Sequence, residues 1–146
     1  MSAEQMSIAG EWCDAEDGGT AEIINPATGE IMATSPKATL GDVNRCVDAS
    51  RAAFNDSTWK NMDPAQRGRI LNKMAQATYA KAKELAVLES NNNGKTFREA
   101  LSEIRFGAWT LEYFAGLSDK IEGSTIPVPG NRLNYTLRQP LGVTVT

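Results

Sequence analysis

The stretch TFREALSEIRFGAWTLEYFAGLSDK, residues 96–120, carries the longest periodic pattern in the sequence. Its apolar residues recur every three or four positions, which is the repeat of one helix face. These residues are Phe97, Leu101, Ile104, Ala108, Leu111 and Ala115, and the aromatic residues that widen the face are Phe106, Trp109, Tyr113 and Phe114. A helix that is apolar around so much of its circumference requires cover on more than one side. The pattern predicts a long helix that a chain of 146 residues can cover only in part.

Shorter helices precede this segment, and their ends carry capping residues. Thr39 is a good N-cap for a helix over 40–54, and Asp63 followed by Pro64 starts another. A further helical stretch over 82–92 ends at Gly94, which suits the left-handed conformation that follows many helices. The sequence therefore predicts several helices in its middle part.

Strand patterns lie on both sides of these helices. Short apolar pieces at 8–12, 21–24 and 30–34 alternate with turn signals, which predicts a small antiparallel meander at the periphery of the fold. Beyond Gly123 the apolar period becomes two, which predicts one strand over 133–138 and a second that begins at 141.

Composition limits the class of protein. A hydrophobic fraction of 41% and a charged fraction of 23% are typical of a soluble globular chain, and the N-terminus has no secretory signal pattern, so we expect a cytoplasmic protein. The net charge of -3 comes from interspersed signs, without a Lys/Arg cluster that could neutralise a row of phosphates. No apolar run is long enough to cross a bilayer. Nucleic acid and membrane partners are therefore not expected.

The candidate catalytic patterns each favour a structural explanation. The sequence has no His, which excludes Ser-His-Asp and Cys-His catalysis within it, and Cys13 and Cys46 are too isolated for a zinc site. Cys46 falls on the apolar stripe of the helix at 40–54, where a small buried thiol is expected. Glu99 and Glu103, four residues apart, suit a charged helix face better than an acid–base pair.

The tripeptide Gly94-Lys95-Thr96 copies the end of a phosphate-binding P-loop. That motif requires a glycine five positions before Gly94, and Glu89 stands there, within a predicted helix. No two glycines have the G-x-G spacing of a dinucleotide-binding turn. We therefore predict no catalytic residue and no cofactor-binding residue within the chain.

Five strings in register resemble aldehyde dehydrogenases, and the resemblance covers essentially the whole chain from Ile8. They are Ile24-Asn25-Pro26-Ala27-Thr28-Gly29-Glu30, Ala52-Ala53-Phe54, Arg67-Gly68-Arg69 with Leu71, Leu88-Glu89-Ser90-Asn91-Asn92-Asn93-Gly94-Lys95, and Tyr135-Thr136-Leu137-Arg138-Gln139-Pro140-Leu141-Gly142-Val143. Each string alone is modest evidence, and five in order at matching spacing are strong.

The resemblance implies an α/β fold of the aldehyde dehydrogenase type, of which this chain is an incomplete part of the cofactor-binding domain. It implies a flexible N-terminus at 1–7, the N-terminal part of that domain at 8–132, a strand of the oligomerisation arm at 133–140, and the first strand of the dinucleotide-binding sheet, cut short, at 141–146. Family members oxidise aldehydes to acids with NAD or NADP, through a cysteine nucleophile and a glutamate that lie C-terminal to this segment.

One accessory site of the family falls within the chain. The resemblance implies a monovalent cation held by the backbone carbonyls of Ile23 and Ile24 and by a side chain at Asn92, where the family often has Asp. An amide oxygen can still bind a hard cation, although it brings no charge. Asn92 would otherwise simply cap its helix.

Three functional hypotheses follow. The first is the N-terminal portion of an aldehyde dehydrogenase, inactive alone and binding neither NAD nor NADP alone, whose partners are the remainder of the enzyme and, as in the family, further copies in a homo-oligomer. The second is a non-catalytic structural or interaction protein that pairs with a full-length aldehyde dehydrogenase. The third, a small helical ligand-binding domain, rests only on the aromatic residues of the long helix.

Overall fold

The computed structural model describes residues 2–145 and contains short strands, a helical region and a C-terminal two-stranded ribbon. The strands are β1 Ser2–Ala3, β2 Met6–Ile8, β3 Glu11–Cys13, β4 Thr20–Ile24, β5 Ile31–Pro36, β6 Thr125–Ile126 and β7 Asn134–Tyr135. The helices are α1 Leu40–Asn55, α2 Ser57–Lys60, α3 Pro64–Ala80, α4 Ala82–Asn93 and α5 Phe97–Leu117. This order of strands, helices and strands confirms the predicted fold class.

The N-terminal strands form two small sheets rather than one meander. Strand β5 pairs with β4 antiparallel and with β1 parallel, whereas β2 and β3 form a separate hairpin. The single strand predicted at 8–12 is wrong because Ala9 and Gly10, at φ 55° and 84°, form a tight turn inside it. Ala9 gives no sequence signal for a positive φ, so the pattern could not reveal this turn.

The flexible segment expected at 1–7 also differs from the structure. Within it, β1 pairs with β5 and β2 pairs with β3. Each pairing satisfies backbone N–H and C=O groups along one edge of the partner strand. Met1 lies outside the described residues.

The helix ends follow local capping chemistry. Thr39 and Asp42 form a reciprocal capping box at the start of α1, and the Asp63 carboxylate accepts hydrogen bonds from the first backbone N–H groups of α3. Gly94 ends α4 at φ 80°, in the left-handed conformation. Thr96 then starts α5 in a second capping box. The predicted caps are confirmed, and the two helical stretches around Lys81 are separate helices.

The helical layer consists of α3, α4 and α5, and small residues dominate its contacts. Ala75, Ala86, Ala100 and Ala108 are completely buried between these helices. At the crossing of α3 and α5, a Cβ placed on Gly68 would lie 2.7 Å from the carbonyl oxygen of Ala115. The two backbones can approach this closely only because position 68 has no side chain.

The C-terminal ribbon, residues 122–138, is held by few contacts. Strands β6 and β7 pair antiparallel, the Thr136 amide donates to the Ser124 carbonyl at 2.9 Å, and the Arg138 guanidinium donates to the Glu122 carbonyl at 3.3 Å. Of the strand predicted at 133–138, only Asn134–Tyr135 is paired. Residues 141–145 do not form a strand. Alternating apolar residues become a strand only when a neighbouring strand pairs with them. Thr146 lies outside the described residues.

Candidate functional site

The first candidate site is the junction between the β4–β5 loop and the end of α4. In the loop, the Asn25 amide N–H donates to the Glu30 carbonyl at 2.9 Å, and the Asn25 side-chain oxygen accepts from the Ala27 amide at 2.9 Å. These bonds fix Pro26 at the tip of a short turn. A register irregularity between Ile23 and Ile24 opens the β4–β5 ladder just before this turn.

Pro26 and Gly94 bring the turn after β4 into contact with the end of α4. A Cβ built on Gly94 would lie 2.9 Å from Pro26 Cγ, so the left-handed residue that ends α4 packs directly against the Asn-Pro turn. Ile24 is 51% exposed and Asn92 is exposed. Within residues 2–145, no group of three or more His, Cys, Asp or Glu side chains is placed to hold a metal ion.

Asn93 rather than Asn92 forms side-chain hydrogen bonds at the end of α4. The Asn93 side-chain oxygen accepts from the Lys95 amide at 2.9 Å, and its side-chain nitrogen donates to Glu89 Oε1 at 2.6 Å. The C-cap of α4 is Gly94. Asn92 therefore does not cap its helix, and its role as a cation ligand stays a prediction.

Lys95 ties α4 to α5 and cannot act as a P-loop lysine. Its ammonium group donates to Glu89 at 3.0 Å and to Glu103, and its carbonyl accepts from Ser90 Oγ at 2.7 Å. The carboxylate of Glu103, followed by that of Glu89, raises the pKa of Lys95. Gly94, Lys95 and Thr96 thus form a helix-to-helix junction, as predicted.

The predicted carboxylate pair also has structural roles. Glu99 completes the capping box of Thr96, and Glu103 belongs to the Lys95 ion pair. Both are therefore committed to the α4–α5 junction and not to acid–base chemistry.

The cysteines do not form a reactive centre. Cys13 is half buried in β3, and Cys46 is exposed on α1. The prediction of a buried Cys46 is wrong: the helix has the predicted spacing, but the side of α1 that carries Cys46 is not covered. An activated cysteine requires a nearby cation, metal or general base, and the sequence has no His to act as that base.

Asp42 forms a contact that the sequence did not reveal. Its carboxylate is buried at 1% exposure and accepts hydrogen bonds from the amides of Thr39, at 2.8 Å, and Glu16, at 3.2 Å. The Arg45 guanidinium donates to it as well. Donation from the Thr39 backbone and then from Arg45 holds the pKa of the Asp42 carboxyl well below its usual range. The bond from Glu16 is a tertiary contact between residues 26 positions apart, which a local sequence pattern does not reveal.

An exposed apolar surface lies on the aromatic face of α5, formed by Phe106, Trp109, Tyr113 and Phe114. Neighbouring rings lie 5.4 to 5.8 Å apart between centroids. Phe106 is 65% exposed and Trp109 is 52% exposed. Ala100 and Ala108, on the opposite side of the helix, are fully buried. The helix is thus packed on one side and open on the side that carries its largest side chains.

An open cleft of about 370 Å³ lies between α3 and α5 beside this face. Its floor includes Gly68 and Ala115, and its rim includes Arg69, Glu112 and Lys120. Lys120 donates to the Gly116 carbonyl and to Asp119, both of which also line the cleft. The cleft offers no converging set of groups for a reaction.

Comparison with known proteins identifies this arrangement. Residues 12–146 match the aldehyde dehydrogenase family. The chain is 44% identical over 145 residues to the (Z)-2-((N-methylformamido)methylene)-5-hydroxybutyrolactone dehydrogenase of Acinetobacter baylyi and 41% identical over 141 residues to the cytosolic aldehyde dehydrogenase 1 of Mus musculus. These matches cover 98% and 95% of the chain, but 29% and 28% of the relatives.

The solved structures agree. An aldehyde dehydrogenase from Bacillus cereus in complex with NAD+ superimposes on 91% of the chain with a TM-score of 0.86 and 36% identity, and 27% of that protein is covered. The chain belongs to the aldehyde dehydrogenase family. It spans less than a third of the length of these relatives.

Among the described residues, no helix is both long enough and apolar enough to span a bilayer.

Proposed function

We propose that this chain is the N-terminal part of the cofactor-binding domain of an NAD(P)-dependent aldehyde dehydrogenase that oxidises an aldehyde to a carboxylic acid. Within that enzyme its role is structural: it supplies the outer helical layer, while residues of the remaining polypeptide hold the cofactor and react with the aldehyde. Two of the proteins named above are called aldehyde dehydrogenases, and one of these was solved with NAD+.

The exposed aromatic face of α5 is the observation that carries this proposal. A ring of this size buries roughly 150–250 Å² when covered, so covering the exposed half of each contributes roughly 2 kcal/mol. Four adjacent rings form a patch of the kind that marks a protein contact rather than an ordinary soluble surface. The occupant we propose is the remainder of the enzyme's own polypeptide, because the chain spans only 27–29% of its relatives.

The chemistry of the family cannot be assembled from the groups of this chain. It requires a thiolate nucleophile, a nearby nicotinamide and a base that activates water. Neither Cys13 nor Cys46 matches the motif of the family nucleophile, and the carboxylates of Glu99 and Glu103 are already engaged. We therefore expect the 146-residue chain alone to be inactive and to bind neither NAD nor NADP.

The cation site at Ile23, Ile24 and Asn92 is a second part of the proposal. Packing of Pro26 against Gly94 supports it, because this contact holds the end of β4 beside the end of α4. We expect K+ to raise the unfolding temperature of the chain more than tetramethylammonium at equal ionic strength, and Asn92→Asp to enlarge that difference by adding a charge. Equal unfolding temperatures in both salts, for the parent and the variant, would contradict the proposed cation site.

The cellular setting and assembly of the enzyme are also proposals. A cytosolic relative supports a cytoplasmic protein, and the family resemblance supports a homo-oligomer in which the segment at 133–140 belongs to the oligomerisation arm.

A complementation experiment tests the proposed function. The chain is co-expressed with the part of the Bacillus cereus enzyme that lies outside the matched region, and aldehyde-dependent reduction of NAD+ is followed. We expect activity from the pair and none from either piece. Trp109→Asp should abolish the association, whereas Gln76→Asp, exposed on α3 and away from the aromatic face, should leave it intact.

Two outcomes would contradict the proposal. Activity of the 146-residue chain alone would show that it holds its own catalytic groups. Association with an intact full-length aldehyde dehydrogenase, at fixed stoichiometry and without association with the complementary piece, would support the non-catalytic pairing protein instead.

A further inference from the structure

The end of α4 contains the only Asn-Gly pair in the sequence, Asn93-Gly94. An asparagine before glycine is the pair most prone to spontaneous deamidation, because glycine has no Cβ to hinder its backbone nitrogen. In that reaction the backbone nitrogen of the glycine attacks the side-chain amide carbon of the asparagine. Here both reacting groups lie at a helix terminus, where the structure fixes them.

Three hydrogen bonds restrain this pair. The Gly94 amide N–H donates to the Ser90 carbonyl at 2.9 Å, so the attacking nitrogen is engaged in the last helical bond of α4. The Asn93 side chain is held at both ends, by Glu89 Oε1 at 2.6 Å and by the Lys95 amide at 2.9 Å. Attack requires Gly94 to release Ser90 and the Asn93 side chain to rotate, which means opening the last turn of the helix.

We propose that Asn93 is a conformation-gated deamidation site, closed while the last turn of α4 is formed and reactive when that turn opens. On opening, a bond forms between the Gly94 nitrogen and Asn93 Cγ, the Cγ–Nδ2 bond breaks, and ammonia leaves with the amide proton. Water then hydrolyses one of the two carbonyls of the cyclic imide, which leaves aspartate or isoaspartate at position 93.

The product cannot restore the closed junction. A carboxylate at position 93 has no N–H to donate to Glu89 and places a second negative charge beside it. Both charges would then lie at the C-terminus of α4, where the helix dipole disfavours anions. Isoaspartate also lengthens the backbone next to Gly94, which packs on Pro26. Deamidation therefore loosens the contact between α4 and the β4–β5 loop irreversibly.

Timed incubation of the purified chain in mildly alkaline buffer, with and without urea, tests the gate. Peptide mass spectrometry follows conversion at each asparagine, and hydrogen exchange at residues 89–95 follows opening in the same samples. We expect conversion first at Asn93, slower in buffer than in urea by on the order of tenfold or more. Glu89→Ala should accelerate conversion in buffer, Glu89→Gln should nearly restore the parent rate, and the exposed Glu84→Ala should leave it unchanged.

Three results would overturn the proposal. The first is equal conversion in buffer and in urea, whether or not exchange at 89–95 is protected. The second is faster conversion at another asparagine, and the third is an equal effect of Glu89→Ala and Glu84→Ala. In Asn93→Gln the longer side chain would have to form a six-membered ring, so the modified peptide should disappear. That result would confirm that Asn93 is the modified residue.

Discussion

The helical layer of α3, α4 and α5 and the C-terminal ribbon at 122–138 differ in how far their apolar side chains are buried. In the layer, small side chains such as Ala75 and Ala108 are fully buried between the helices. In the ribbon, Leu133, Tyr135 and Leu137 are all more than half exposed, and a few backbone bonds maintain the pairing.

The difference shows which part of the chain carries its own stability. The apolar residues that are fully or nearly buried are alanines, whereas the large apolar side chains of α5 and of the ribbon face outward. A protein normally buries its large apolar residues, because they gain most from leaving water. The helical layer is thus a contact between helices lined by small side chains, and the large apolar side chains of α5 and of the ribbon are left exposed.

The largest effect should come from breaking the close approach in the helical layer. We expect Gly68→Ala to lower the free energy of unfolding by about 1–3 kcal/mol, because the added Cβ would press on the Ala115 carbonyl. Gly107→Ala in α5 meets nothing within 4 Å and should instead gain about 0.5–1 kcal/mol from better helix propensity. Urea unfolding measures both, and effects of the same sign would contradict the close crossing.

Acid should weaken the hydrogen bonds that the Asp42 carboxylate accepts at the start of α1. Because the pKa of Asp42 is lowered on folding, its contribution is fully present above the ordinary aspartate pKa, about 4, and is lost as the pH falls below that value. We expect Asp42→Asn to reduce the unfolding temperature at neutral pH and to differ much less from the parent in acid. Asp48→Asn, exposed on the same helix, is the control. A pH-independent difference would show that the charge of Asp42 is not involved.

Replacing a threonine by alanine should affect stability differently in the helical layer and in the ribbon. Thr96→Ala removes the N-cap of α5 and should cost about 1 kcal/mol. Thr136→Ala removes the hydroxyl that accepts from the Ser124 amide at 2.8 Å in the exposed ribbon, and should change stability by less than about 0.5 kcal/mol. Thermal unfolding compares the two variants. A larger loss from Thr136→Ala would reverse the order of stability between layer and ribbon.

The sequence predicted those features that local chemistry determines. Thr39, Asp63 and Gly94 mark helix ends through bonds within a few residues, so their roles were visible. The turn at Ala9 was not, because alanine rarely adopts a positive φ. The strand expected at 141–145 failed for a different reason: strand formation depends on a partner, which a period-two pattern does not supply.

The candidate site shows the same division. Short strings of residues were enough to predict the Gly94 cap and to show the resemblance at the Asn-Pro turn. Two other contacts join segments far apart in the sequence, and local patterns do not predict them: Pro26 packs on Gly94, and the Glu16 amide donates to Asp42. The burial predicted for Cys46 failed because the sequence shows which residues share a helix face and does not show whether that face is covered.

Hydroxyl-radical footprinting tests whether the aromatic face of α5 is covered in the complex. Labelling of Trp109 and Tyr113 is measured in the chain alone and in the active complex with the complementary part of an aldehyde dehydrogenase, with Trp12 of β3, which is 71% exposed, as an internal reference. Both α5 residues should label readily in the chain alone, where they are about half exposed, and should become protected in the complex. Equal labelling of Trp109 and Tyr113 in an active complex would contradict the proposal that this face is covered by the rest of the enzyme.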